Sequence, residues 1–223
     1  MARRFHPIKA VCLIAPKNSI ATGFLEDMTD MFRLNLQART AEFVEMPEIL
    51  GVCADSNPRF SAYLDLGMAS KKNVPDELVI PAFKKWFAME KGRNECLRTL
   101  WITGAPLTER QCCAFRELFE PLMIIHLEPS DQHMEDNIPS DLRWQAYHRD
   151  TRPFMRRVPS MPDLRKMFLS IKMDAPLLEQ AVNMRRHLLE RGIDVQWKNQ
   201  PPEQIPLLER QNGQLEAGRM AMA

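Results

Sequence analysis

Two kinds of hydrophobic pattern alternate along the chain. Short, nearly continuous apolar runs stand at Lys9–Ala15, Ala41–Met46, Leu97–Thr103 (LRTLWIT), Pro121–Leu127 (PLMIIHL) and Ile193–Trp197. Such runs predict strands of a parallel sheet buried on both faces. Between them lie stretches with helical spacing. Phe24, Leu25, Met28, Met31, Phe32 and Leu36 predict a helix over Ile20–Leu36. Pro47–Gly51 predicts a single helical turn. Ser56-Asn57-Pro58 supplies an N-cap and first-turn proline for a helix reaching about Leu66. A further helix starts at Pro75 and stops near Gly92, with Pro81 early enough to bend rather than break it. Thr108 and Gln111 fit a capping box for a helix running to about Phe119. Glu128–Lys172 is less regular, with short helices expected around Asp141–Tyr147 and Asp163–Phe168. Asp174 as cap, Pro176, the stripe Leu177, Ala181, Met184 and Leu188, and Gly192 as stop predict a helix over Asp174–Arg191. Beyond Lys198 the residues are rich in Pro, Gln and Glu, and an extended tail over 199–223 is expected. Strand and helix in alternation predict an α/β fold with a five-stranded parallel sheet, its first strand central.

Composition narrows the function classes. The 30 Lys and Arg residues nearly cancel the 29 Asp and Glu, so no global basic field points to nucleic acid. The apolar runs are all too short to span a bilayer, and no membrane insertion is expected. An apolar strand follows the basic start Met1–Lys9 so soon that little room is left for a targeting peptide. The five cysteines show no C-x-x-C spacing and read as reduced thiols of a cytosol-like compartment. Packing accounts for the vicinal pair Cys112-Cys113 better than a redox switch does. No metal site is expected, and the 15 methionines read as adaptable packing.

The stretch carrying candidate chemistry is Val11–Thr22, VCLIAPKNSIAT. Strand, tight loop and helix is the arrangement that holds phosphate in α/β proteins, on loop N–H groups and a helix N-terminus. That role needs glycines for close backbone approach and a lysine that reaches the outer phosphates. Ile14–Ala21 contains no glycine, Ile20 occupies the lysine position, and Lys17 comes too early to replace it by spacing.

Three stretches together resemble the adenylate kinase (nucleoside monophosphate kinase) family. VCLIAPKNSIAT is similar to that family's strand and GAPGAGKGT loop, and MASKKNVPDELVI to its dAGklVpDElV segment. LWITGAPLTERQCCAF resembles flLDGFPRTxxQaxxL and is the most specific of the three; HLEPSDQHMEDNI adds a weaker match. The resemblance covers roughly residues 9–140 and implies a P-loop-NTPase-like, adenylate-kinase-like domain over 1–198, with 128–173 as a rebuilt insertion at the lid position.

Position by position, the resemblance is largely one of absences. Ala15, Pro16 and Thr22 remain from the loop, with Ile20 for its lysine. Gly51 stands for one monophosphate arginine and Leu107 for the other, and Thr103 stands for the aspartate near magnesium. Asp136 lies roughly where an arginine flanks the triphosphate. The residual nucleotide-binding candidates are Thr22, Gln111 and Arg185, with Arg186 an alternative to Arg185. Capping its own helix also accounts for Gln111, and a structural hydroxyl accounts for Thr22. Phosphoryl transfer rests on positioned positive charge and magnesium, so the resemblance implies a kept fold, a degenerate Walker A loop and no catalytic residue.

The arginines of Arg143–Arg165, interleaved with Trp144, Tyr147 and Phe154, are open to three readings: phosphate binding, RNA, or a protein partner. Arginine with aromatics is what protein interfaces favour. Arg143, Trp144, Arg149, Arg152, Arg156 and Arg157 are therefore the partner-binding candidates. His126, within a strand, reads as a core histidine. The expected function is that of a pseudoenzyme, a structural subunit of a large assembly acting through protein–protein interaction. That assembly is expected to be a ciliary axoneme or microtubule structure, in which adenylate-kinase-like folds occur, or a mitochondrial complex. No cofactor and no tight ATP binding are expected, and the setting is the cytoplasm, a cilium or flagellum, or the mitochondrion. The alternatives are a divergent active nucleotide kinase and an RNA-contacting subunit of a ribonucleoprotein.

Overall fold

The structure, a computed structural model, describes residues 8–32, 41–55, 61, 74–93, 96–139 and 141–198. Its centre is β1 (Lys9–Ile14), whose alternate side chains enter two separate cores. Ala10, Cys12 and Ile14 face one side of the sheet; Val11 and Leu13 face the other. A strand covered on both faces has no polar side to show, which is why Val11–Ile14 reads as an unbroken apolar run.

α1 (Asn18–Met31) follows, then β2 (Ala41–Glu45), α2 (Met46–Asp55) and α3 (Asp76–Arg93). Next come β3 (Thr99–Thr103), α4 (Glu109–Arg116) and β4 (Leu122–Glu128). α5 (Asp131–Asn137) and α6 (Leu142–Ala146) lead into a π-turn over Tyr147–Thr151. α7 (Arg152–Arg157), a 3-10 turn at Val158–Ser160, α8 (Pro162–Arg165), β5 (Phe168–Lys172) and α9 (Leu177–Glu190) complete the order. The sheet order is β2-β3-β1-β4-β5 and every pairing is parallel. The expected five-stranded parallel α/β sheet flanked by helices, β1 central, is present.

α1 and α9 cover one face, with Met28, Phe32, Met184 and Leu188 in contact with Val11 and Leu13. The other face is covered by α2, α3, α4, α7 and α8 around Phe83, whose ring lies 4.3 Å from Phe115 and 5.9 Å from Phe119. Aromatic pairs at such separations add about 0.5–1.5 kcal/mol to plain burial.

Several expectations are corrected. The fifth strand is Phe168–Lys172 and not Ile193–Trp197. As an edge strand β5 buries only Ile171, so it carries no continuous apolar signal. Ile193 and Val195 are buried too, but against the face of the second core, and Trp197 makes only an isolated antiparallel bridge to Phe32. α2 runs through Asp55, well beyond one turn. α1 stops at Met31, and α4 at Arg116 rather than Phe119. α9 starts at Leu177 with Pro176 in the cap position, so Asp174 caps nothing. As expected, Pro81 does not break α3. The helix expected after Ser56, apart from Ser61, and the tail 199–223 lie outside the described residues.

Candidate functional site

In an open parallel sheet, ligands bind beyond the carboxyl ends of the strands where the strand order reverses. Here that place is the end of β1, flanked by β3 and β4. The loop Ala15-Pro16-Lys17 leaves β1, and Lys17 is the extended N-cap of α1 (φ −137°, ψ 147°), with no side-chain cap. Its carbonyl accepts from Ile20 N at 3.1 Å. Gly104, just past β3, has φ +80° and donates its N–H to the Leu13 carbonyl at 3.4 Å.

The segment after β4 folds back over this end of the sheet and is fixed at several points. Lys17 Nζ forms an ion pair with Asp141. Asp141 also accepts from Arg143 N at 2.8 Å, so the residue that starts α6 holds the loop lysine as well. The bond from Lys17 keeps the Asp141 carboxyl below the usual carboxylate range. Ile20 packs against the buried cluster of Met134, Trp144 and Tyr147, with Ile138 beside it. His126, facing Ile14 across the β1–β4 pair, shares a 2.5 Å hydrogen bond with the Tyr147 hydroxyl. Burial, with smaller contributions from Arg152 and Arg156, pulls the His126 pKa down to about 4. Burial likewise raises that of Tyr147.

The segment passes through the π-turn with its inner face buried throughout: Trp144 and Tyr147 pack in the cluster with Ile20 of α1, and Phe154, Met155 and Val158 join the other core. Trp144, expected at a partner surface, is therefore buried at 3% exposure, and Tyr147 and Phe154 are buried with it. None of these rings is open to a base. Arg152, another partner candidate, is buried as well and donates to Asp131 Oδ1 at 2.5 Å. Arg143, Arg149, Arg156 and Arg157 are exposed.

The remaining candidates are held by their own neighbours. The Thr22 hydroxyl donates to Glu45 Oε1 at 2.9 Å, tying α1 to the end of β2. Gln111 uses both ends of its amide: Nε2 donates to Asp76 Oδ1 at 2.9 Å, and Oε1 accepts from Leu107 N at 2.8 Å. The capping box is thus half as expected. Thr108 Oγ1 accepts from Gln111 N, but Gln111 reaches back to Leu107 rather than to Thr108. Thr108 also donates to Asp76, so one carboxylate joins the starts of α3 and α4. Arg185 donates Nε to the Val195 carbonyl at 3.0 Å and lies 5.9 Å from the Trp197 ring, holding the segment after α9. Thr103 is fully buried, and its Oγ1 has no partner among the described residues.

Sequence reasoning missed the roles of Asp141 and Asp76, and it read Tyr147 as a ring among surface arginines where the structure buries it against His126. Asp141 carried a visible signal as the start of a short helix. Its pairing with Lys17 spans more than a hundred residues and has no local signature. Among the described residues no His, Cys, Asp and Glu cluster is placed to hold a metal, and no helix is long and apolar enough to cross a membrane.

No protein-family model matches the sequence, and no curated protein does. Among solved structures the chain is similar to a sugar kinase from Janibacter sp. HTCC2649, determined without ligand. The TM-score is 0.56 and the identity 15%, over 84% of this chain and 97% of that one. A likeness at this identity concerns the α/β fold alone.

Proposed function

We propose that this chain is a non-catalytic, adenylate-kinase-like protein that serves as a structural subunit of a larger protein assembly. The observation that carries the reading is the contact of the α1 start with the overlying segment. Where a phosphate-binding loop of this family presents a lysine, Ile20 lies in an apolar cluster with Trp144 and Tyr147. The loop's own cation, Lys17, already has the Asp141 carboxylate as counter-ion. A triphosphate entering here meets a carboxylate where it needs positive charge.

The acceptor side supports the same reading. The Gln111 amide is buried and already bonded at both ends, Nε2 to Asp76 and Oε1 to Leu107 N, so it is turned away from a base. Thr103 and Leu107 offer no charge for magnesium or a monophosphate. Each charge-assisted contact normally contributes about 1.5–3 kcal/mol. Four missing contacts, at Ile20, Gly51, Thr103 and Leu107, amount to about 6–12 kcal/mol, the scale of a micromolar binding energy.

Isothermal titration with ATP and magnesium, with AMP and with a bisubstrate mimic, beside a coupled phosphotransfer assay, tests the proposal. The expected result is no binding in the micromolar range and no turnover above background. Micromolar binding together with turnover would overturn it in favour of a divergent kinase. Native purification with identification of co-eluting chains then separates an axonemal or microtubule assembly from a mitochondrial one.

A further inference from the structure

The helical run 142–160 has two faces of unlike chemistry. α6, the π-turn, α7 and the 3-10 turn follow one another without interruption. Trp144, Tyr147, Thr151, Phe154, Met155 and Val158 are buried along the inner face. Arg143, His148, Arg149, Pro153, Arg156 and Arg157 are exposed along the outer one. Arg156 and Arg157 follow Arg149 by seven and eight residues, the spacing that returns to the same side of a helix.

Two features set this outer face apart from an ordinary solvated one. Its permanent cations are all arginine, with no lysine from Asp141 to Arg165. Arginine is weakly hydrated, binds carboxylates through a planar fork, and is enriched at protein interfaces where lysine is depleted. The charge is also only partly used within the chain. Arg149 is held bidentately by Asp150, with both contacts at 2.7 Å, and Arg156 lies 3.7 Å from Glu128 and 3.5 Å from Asp131. Arg143 and Arg157 have no acidic partner among the described residues.

We propose that the outer face of residues 142–160 docks on a carboxylate-rich protein surface. This rests on the reading that the chain acts through its surface, and it commits that surface to one chemistry. Recognition of acidic segments by arginine clusters is a recurrent mode. RNA fits the face less well. Single-strand binding relies on aromatic platforms, and Trp144, Tyr147 and Phe154 are turned inward.

The test uses the full chain, a fluorescein-labelled oligoglutamate peptide and a single-stranded RNA of matched charge, read by fluorescence anisotropy. Binding of the peptide is expected at low salt, weakening about tenfold or more as ionic strength rises to about 0.2 M. The double variant Arg143→Glu/Arg157→Glu removes no internal ion pair. It should weaken peptide binding at least about tenfold while its circular dichroism melt stays unchanged. Absence of peptide binding, tighter binding of the RNA, or a double variant that binds as the wild type would each overturn the proposal. Nucleotide titration reads the non-catalytic assignment separately, so the two fail on different measurements.

Discussion

At Gly104 the backbone turns with φ +80°, and an added Cβ would stand 2.8 Å from Asn18 Oδ1. Gly104→Ala therefore meets both a left-handed backbone, worth about 1–2 kcal/mol against an L-residue, and a steric conflict at the start of α1. Urea unfolding should show a loss of about 1–3 kcal/mol. Adding Asn18→Ala should recover the steric part only; full recovery would mean that the backbone conformation costs nothing. The histidines give a second expectation at this scale. Burial pulls both His126 and His187 down to about 4, with Arg152 and Arg156, or Arg191 and Arg186, adding to it. Both are neutral in the native state, whereas in the unfolded chain they take up protons below their ordinary value of 6.5. The unfolded state binds more protons in that window. Stability is thus complete above pH about 6.5 and falls as pH drops toward about 4, by up to about 1.4 kcal/mol per pH unit for each histidine. His126→Gln should flatten the pH dependence of unfolding by about half. An unchanged slope would place the acid sensitivity elsewhere.

At the scale of elements, the segment over the β1 end stands on its contact with α1. Ile20→Lys would put a strongly hydrated ammonium among Met134, Trp144 and Tyr147. The expected outcome is a loss of about 2–4 kcal/mol in unfolding free energy with no gain of ATP binding, since Asp141 still holds Lys17. A stable variant that binds ATP would show that one side chain alone had closed the site. Trp144→Ala should cost about 3–5 kcal/mol, as large-to-small changes in a core do; a loss under about 1 kcal/mol would mean the segment is held by its ion pairs. Much at this scale was legible in the sequence. β1, β3 and β4 announce themselves because they are buried on both faces, and the Thr108 cap because its bond is local. β5 was not legible, since an edge strand buries only alternate residues and here only Ile171. The inward turn of Trp144 was not legible either. Trp144, Tyr147, Thr151, Phe154 and Val158 do recur at helical spacing, but the arginines set between them point by residue type to a surface, and which face of the segment meets α1 is decided only by the folded sheet.

For the whole molecule, the segment after α9 closes the second core. Trp197 lies 4.4 Å from Phe32, Lys198 N donates to the Met31 carbonyl at 3.0 Å, and Arg185 spans Val195 and Trp197. Trp197→Ala should therefore lower stability by about 1–3 kcal/mol and raise amide exchange at the end of α1. Unaltered protection at Met31 and Phe32 would show the two ends to be independent. The candidate site was legible chiefly as missing residue types. What fills it was hidden, because Lys17 with Asp141 and Gln111 with Asp76 are meetings of distant residues that only the folded sheet brings about. The central place of β1 has one more consequence, for the chain as it is made. Lys9 pairs with Thr99 and Ala10 with Leu122, so the most apolar strand leaves the ribosome about 90 residues before its first neighbour. At about 5–20 residues per second that is a wait of roughly 5–20 s. During it Val11–Ile14 offers bare strand edges to any nascent chain nearby. Yield in the cell should therefore respond to ribosome-associated chaperones and to synthesis rate more than the equilibrium stability of the finished sheet would suggest.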